Sequence, residues 1–223
     1  MSRRVKFVTP CNIYVTGPTG SGKTVFVSRL LKDIPHYFSP APTQVHYCYG
    51  ADQPMIRDVI AKMKHVKTHD LLPDLATLKR WFRGKPGILV LDDMMREIGS
   101  DPQAEDLFTK HSHHLRITVI YLTQDMFPEG RHAKTISRQA QYVIAFRSLR
   151  DKIGLKNMLL QSFPDTWRHV LNVCHHLHTR PHGYTMFDFH PSSTSPHCVL
   201  GHVLKGEGGM RGYQMRKTIG TGS

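Results

Sequence analysis

The stretch 12–24, NIYVTGPTGSGKT, concentrates the residue types that handle phosphate. Gly17, Gly22, Lys23 and Thr24 match G-x-x-x-x-G-K-[ST], the spacing of a phosphate-binding P-loop. Backbone N–H groups must wrap a phosphate closely, and glycine allows both the approach and the positive φ angles this requires. Gly17, Pro18, Thr19, Gly20, Ser21, Gly22, Lys23, Thr24 and Val25 are therefore expected to enclose the phosphates of a nucleotide such as ATP. Lys23 is expected to reach the β- and γ-phosphate oxygens, and Thr24 to ligate Mg²⁺ at the first turn of a helix whose N-terminal dipole favours the anion. An ordinary glycine turn is the competing reading. It leaves unexplained why a strand pattern (Ile13, Val15) precedes the loop and a helical pattern (Val25, Phe26, Val27, Leu30, Leu31) follows it.

A second site segment is 88–93, ILVLDD, an apolar run ending in two carboxylates. After a P-loop it reads as Walker B, with Asp92 holding Mg²⁺ through water and Asp93 polarising an attacking water. The plainer alternative is an acidic pair that caps the next helix. The third segment is the strand pattern 117–122, ending at Thr123-Gln124. A side-chain amide at a strand tip beside Walker B can bond the γ-phosphate or the lytic water, so Gln124 is read as a sensor of nucleotide state. By itself it could equally be a loop residue of no special role.

These residues need a scaffold that brings several strand ends together. Strands are expected near 12–16, 43–49, 88–93, 117–122, 142–146 and 184–189. Helices are expected after the P-loop, over 53–64 with Asp52 as N-cap, from Pro73-Asp74 to Phe82, within 102–114, near 131–138, and over 151–161 and 164–178. Alternating strands and helices with long apolar strands indicate an α/β fold with a mainly parallel sheet flanked by helices, of the P-loop NTPase (RecA-like) type. Such sheets bind ligands at the carboxyl ends of their strands. Residues 1–11 read as a basic lead-in, 12–190 as the P-loop domain, and 191–223 as a Ser/Pro/Gly-rich, basic, mobile tail.

Thirty Lys and Arg against seventeen Asp and Glu give a net charge of +13 and a pI near 9.8. That excess suggests a polyanionic partner, most simply nucleic acid, against the alternative of a solvated basic surface. The cations of 62–85 are read as an exposed face, or as contacts to a nucleic-acid backbone. No apolar run reaches transmembrane length and no signal-peptide core follows the start, so a cytosolic or nuclear location and no membrane partner are expected. The four cysteines lie far apart and are expected to be reduced. Cys174, His175, His176, His178, His182, His197 and Cys198 raise a zinc site as an alternative, although their spacing fits no regular finger.

The blocks GPTGSGKT (17–24), ILVLDDMM (88–95), LFTKHSHHLRITVIYLTQDMF (107–127), ISRQAQYVIAFRSLRD (136–151) and HGYTMFDF (182–189) together resemble the viral genome-packaging ATPases of the FtsK-HerA superfamily. The resemblance is nearest to those of Polinton or Maverick elements and adintovirus-like viruses, with the poxvirus packaging ATPase more distant. It spans about residues 10–190. It implies an ATPase that translocates double-stranded DNA into a capsid as a homo-oligomeric ring, a hexamer, in contact with capsid portal or vertex proteins, inside the host cell or associated with the virion. Carried over by position, Lys23 and Thr24 match Walker A, Asp92 and Asp93 Walker B, and Gln124 the polar sensor. The resemblance also implies an arginine finger supplied by the neighbouring subunit, with Arg116 the first choice and Arg138, Arg147 and Arg150 as alternatives. The chain departs from the pattern at Asp125, where Asn is frequent, and at Ser148-Leu149.

Two other function classes remain open on the residues alone. A P-loop kinase acting on a small molecule or nucleotide shares Lys23, Thr24 and Asp92, but has little use for the basic excess. A DNA-binding protein could keep the nucleotide site as a purely structural element.

Overall fold

The computed structural model describes residues 6–193 and 198–214. The lead-in forms β1 (Phe7–Val8) and runs into β2 (Asn12–Thr16), which delivers the chain to the P-loop. Helix α1 (Lys23–Lys32) begins at the end of that loop, followed by α2 (Ile34–Tyr37), β3 (Phe38–Ser39) and β4 (Gln44–Tyr49). A single π-helical stretch, Ile56–Ile60, replaces most of the helix expected over 53–64. Asp52 does not cap it; its carboxylate pairs with Arg57 at 2.9 Å.

The chain then forms β5 (Val66–His69), a strand the sequence pattern does not reveal because only Val66 of its residues is buried. Helix α3 (Leu75–Phe82) starts at Asp74, whose carboxylate accepts from the Thr77 N–H at 2.8 Å. Strand β6 (Gly87–Asp92) leads to α4 (Met95–Ser100), α5 (Pro102–Asp106), a π-helical stretch Leu107–His111 and α6 (Ser112–His114). The remaining elements are β7 (Ile117–Thr123), α7 (Ala133–Arg138), β8 (Tyr142–Phe146), α8 (Lys152–Ser162), α9 (Trp167–Leu177), β9 (Tyr184–Asp188), β10 (Val199–Gly201) and β11 (Arg211–Tyr213).

Among the described residues nine strands form one sheet in the order β11-β10-β9-β8-β2-β7-β6-β4-β5, and β1 pairs with β3 apart from it. The pairings from β8 through β2, β7, β6 and β4 to β5 are parallel, whereas β9, β10 and β11 extend the sheet antiparallel. Both faces are covered, which is why the central strands read as unbroken apolar runs. Ile88 and Val90 of β6 pack on the α1 side with Phe26, Val27, Leu30 and Leu31. Leu89 and Leu91 pack on the other side with Leu78, Phe82, Val170 and Cys174.

The stretch expected to be a mobile tail contributes two strands. Val199 and Leu200 are buried and pair with Phe187 and Met186. Tyr184 Oη, at the start of β9, donates to Glu207 at 2.6 Å and accepts from the Val203 N–H at 2.9 Å, which fastens the following turn. The Ser, Pro and Gly content masks these strands because each is three residues long and presents too few apolar residues for an alternating pattern. Residues 215–223 lie outside the described residues. Among the described residues no helix is long and apolar enough to cross a membrane.

Candidate nucleotide-binding site

The carboxyl ends of β2, β6 and β7 lie side by side in the sheet. The P-loop leaves β2, and its first residue is tied to the neighbouring strand where the Gly17 N–H donates to the Thr123 carbonyl at 3.2 Å. Two glycines are required by geometry. Gly17 has φ +152°, and a Cβ there would lie 2.6 Å from the Phe146 Cβ; Gly22 has φ +107° and stands at the N-cap of α1. No side chain caps α1 and no acidic residue occupies its first turn. Its terminal N–H groups and the positive end of its dipole thus remain for an anion.

Lys23 closes the loop, donating from Nζ to the carbonyls of Gly17 at 2.5 Å and Pro18 at 3.1 Å. Burial lowers its pKa, opposed by the carboxylates of Asp92, Asp93 and Asp125. Asp92, at the end of β6, is buried; the loss of solvent raises its pKa against a hydrogen bond from Tyr47 and the Lys23 cation. Both charges are disfavoured by the same desolvation, and an incoming phosphate with its metal would offset both penalties.

Thr24 Oγ1 lies 3.3 Å from Asp92 Oδ2, so the hydroxyl and the carboxylate converge as a hard oxygen pair suited to Mg²⁺. Bound there, Mg²⁺ would neutralise charge on the phosphate oxygens. Asp92 also receives a hydrogen bond that the sequence did not announce, from Tyr47 Oη at 2.6 Å. Burial and the adjacent carboxylate push the Tyr47 phenol well above its ordinary pKa, which keeps it a donor.

Asp93 turns out of the strand with φ +56°. Gly50 makes room for it, since a Cβ at position 50 would lie 2.2 Å from the Asp93 carbonyl oxygen. Its Oδ1 accepts from Gln124 Nε2 at 3.3 Å, which joins the tips of β6 and β7. Thr19, Gly20, Gly22, Lys23, Thr24, Asp92, Asp93 and Gln124 line one cavity of about 290 Å³, together with Gln53, Met55 and His182. The structure therefore brings residues from all three sequence segments into one place, while Gly17, Pro18 and Ser21 of the expected loop residues do not line this cavity. A second cavity of about 460 Å³, lined by Arg147, Asp151 and His175, shares Gln124 as a wall.

The arginines fall differently. Arg116 stands before β7, at the opposite end of that strand from Gln124, about 26 Å away by strand rise, and has φ +56°. It cannot serve the cavity of its own chain. Arg138 closes α7, whereas Arg147 and Arg150 follow β8 on the P-loop side of the sheet.

The zinc alternative fails among the described residues, which hold no group of three or more His, Cys, Asp or Glu able to surround a metal. Cys174 is buried in the α9 core stripe, His178 bonds to the Ala145 carbonyl, and His182 bonds to the Ser21 carbonyl. His197 lies outside the described residues.

No protein-family model matches the chain, and no curated protein matches it. Solved structures do match. The DNA-packaging ATPase B204 from Sulfolobus turreted icosahedral virus superposes with a TM-score of 0.54 at 14% identity, covering 81% of this chain and 93% of that one. The genome packaging NTPase B204 from Sulfolobus turreted icosahedral virus 2, in complex with ATP-gammaS, gives a TM-score of 0.52 at 12% identity, with coverage of 81% and 93%. The same protein with sulfate gives 0.53 at 14%, covering 81% and 92%. This chain has the P-loop ATPase fold. At such identities the likeness speaks for the architecture, and the chemistry rests on the residues described above.

Proposed function

We propose that this protein is an ATPase that hydrolyses ATP with Mg²⁺ and uses the energy to move double-stranded DNA into a viral or virus-like capsid. The observation that carries the hydrolytic part is the convergence of Lys23, Thr24, Asp92, Asp93 and Gln124 on one cavity at the carboxyl ends of parallel strands. In this reading the P-loop and Lys23 hold the β- and γ-phosphates. Thr24 and Asp92 hold Mg²⁺. Asp93 draws a proton from the attacking water, and Gln124, bonded to Asp93, orients that water and reports the presence of the γ-phosphate.

The packaging part is supported by the fold shared with B204 and by the net charge of +13. Among the described residues no arginine lines this cavity, which supports a homo-oligomeric ring, a hexamer, in which a neighbour completes the site. Capsid portal or vertex proteins would be its docking partners, within the host cell or on the virion. The deciding experiment is ATP turnover with and without duplex DNA. Turnover that DNA stimulates and that Lys23→Ala abolishes is expected; turnover indifferent to DNA but raised by a small phosphate acceptor would favour a kinase and overturn the proposal.

A further inference from the structure

His182 stands in the loop between α9 and β9, far from the P-loop in sequence, yet its Nδ1 lies 3.1 Å from the Ser21 carbonyl oxygen. A carbonyl accepts only, so Nδ1 carries the proton and donates. The Ser21–Gly22 peptide is trans, because the cis bonds among the described residues are Thr9–Pro10 and Ser39–Pro40. In a trans peptide the C=O and the following N–H point in opposite directions. Holding the Ser21 carbonyl toward the imidazole therefore turns the Gly22 N–H away from it.

The imidazole is itself held firmly. His182 has φ +55°, a conformation uncommon for a side-chain-bearing residue. The turn is fixed on both sides of Gly183, whose N–H donates to the Arg180 carbonyl at 3.0 Å and whose carbonyl accepts from the Arg147 N–H at 3.1 Å. Gly183 has no room for a side chain, since a Cβ there would lie 2.4 Å from the Leu177 carbonyl oxygen. Gly22 completes the fit: a Cβ on it would meet the His182 Cβ and Nδ1 at 3.4 Å. A locally strained residue, anchored to the end of β8 and aimed at a loop carbonyl, is the kind of feature that functional loops retain.

We infer that His182 is a positioning residue for phosphate binding, which presets the Ser21–Gly22 peptide so that the Gly22 N–H faces the phosphates. The inference rests on the proposed nucleotide site. It assigns the Nδ1–H bond to the phosphate-binding step and gives the ring no contact with the base.

The test uses the full chain and two probes, a fluorescent ATP analogue and inorganic tripolyphosphate as its competitor. His182→Gly removes the side chain and tolerates the positive φ, so backbone strain does not confuse the result. His182→Asn tolerates the same backbone and restores an N–H near the position of Nδ1. Expected is a weakening of both probes by about 3- to 10-fold in His182→Gly, the worth of one neutral hydrogen bond, with recovery of most of it in His182→Asn. Unchanged affinity in His182→Gly, failure of Asn to rescue, or a loss confined to the nucleoside-bearing probe would overturn the inference. Failure of the wild-type protein to bind either probe would instead strike the nucleotide site itself. Thermal melts of both variants check that each is folded.

Discussion

Gln124 donates to Asp93 across 3.3 Å and so joins the tips of two adjacent strands beside the P-loop. The contact couples the expected base to the expected sensor. Whatever displaces the amide, including a γ-phosphate, also frees a carboxylate oxygen for water. Asp93→Asn keeps the shape and the hydrogen-bonding reach of the side chain but removes the base. Its expected effect is a fall in kcat of about 10²- to 10³-fold with nucleotide affinity retained. Steady-state ATP hydrolysis alongside equilibrium nucleotide binding measures both, and a rise in KM at unchanged kcat would remove Asp93 from the chemical step.

Tyr47 would act one layer behind a Mg²⁺ held by Thr24 and Asp92. Its hydroxyl is the short donor to Asp92, and among the described residues Tyr47→Phe leaves that buried carboxylate with a side-chain hydrogen bond from Thr24 alone. Partners that orient a metal-ligating group typically contribute 10- to 100-fold in metal affinity. The Mg²⁺ concentration for half-maximal turnover should accordingly rise by about 10-fold, and stability should fall by about 1–3 kcal/mol as a hydrogen bond to a buried charge is lost. A Mg²⁺ titration of activity and a urea melt separate the two. An unchanged Mg²⁺ requirement would leave Tyr47 as a packing residue.

The three motif segments were legible because each is local: the P-loop, the Asp pair and Gln124 lie at strand ends that the apolar runs announce. Tyr47 and His182 were not, since neither belongs to a motif. Tyr47 faces Asp92 because β4 pairs with β6 in a register that sets it beside Val90, and that pairing is decided by the crossover between them. His182 reaches Ser21 because β9 runs antiparallel beside β8, pairing Tyr184 with Phe146 and bringing the preceding loop back to the P-loop. Long-range pairings carry no signature in a local window. The same reason hid β10 and β11, which the sheet recruits through β9.

Two buried histidines make stability depend on pH. Burial depresses His46 to about 4, with His69 and Lys67 adding to the effect. Burial also depresses His178 to about 4, opposed by its bond to the Ala145 carbonyl and assisted by His175 and Arg147. Both folded pKa values lie below the ordinary 6.5, so the unfolded chain binds more protons between pH 6.5 and 4. Stability is therefore complete above that window and is lost as pH falls through it. Urea unfolding at pH 7, 6 and 5 should show this decline. His178→Gln, which can still donate to the Ala145 carbonyl, should make the decline shallower and leave the part due to His46; an equal slope in the variant would mean that His178 does not contribute.

The position of Arg116 gives the last prediction. It precedes β7 on the edge of the sheet opposite the P-loop, and its carbonyl accepts from the Gly87 N–H at 3.3 Å, next to Lys85. Arg116 and Lys85 are exposed, as are Arg83 and Lys64 near the same edge, and none of the four takes part in the ion pairs of the described residues. Unneutralised cations on one rim suit a phosphate backbone, and each contact contributes a slope of about 0.9 to the dependence of log affinity on log salt. Lys64→Ala combined with Lys85→Ala should lower that slope for duplex DNA by about 2 while leaving DNA-free ATP turnover unchanged. Arg116→Ala should lower DNA-free turnover, and mixing it with Lys23→Ala should restore part of it; unchanged turnover would remove Arg116 as the neighbouring subunit's finger and leave it a rim cation.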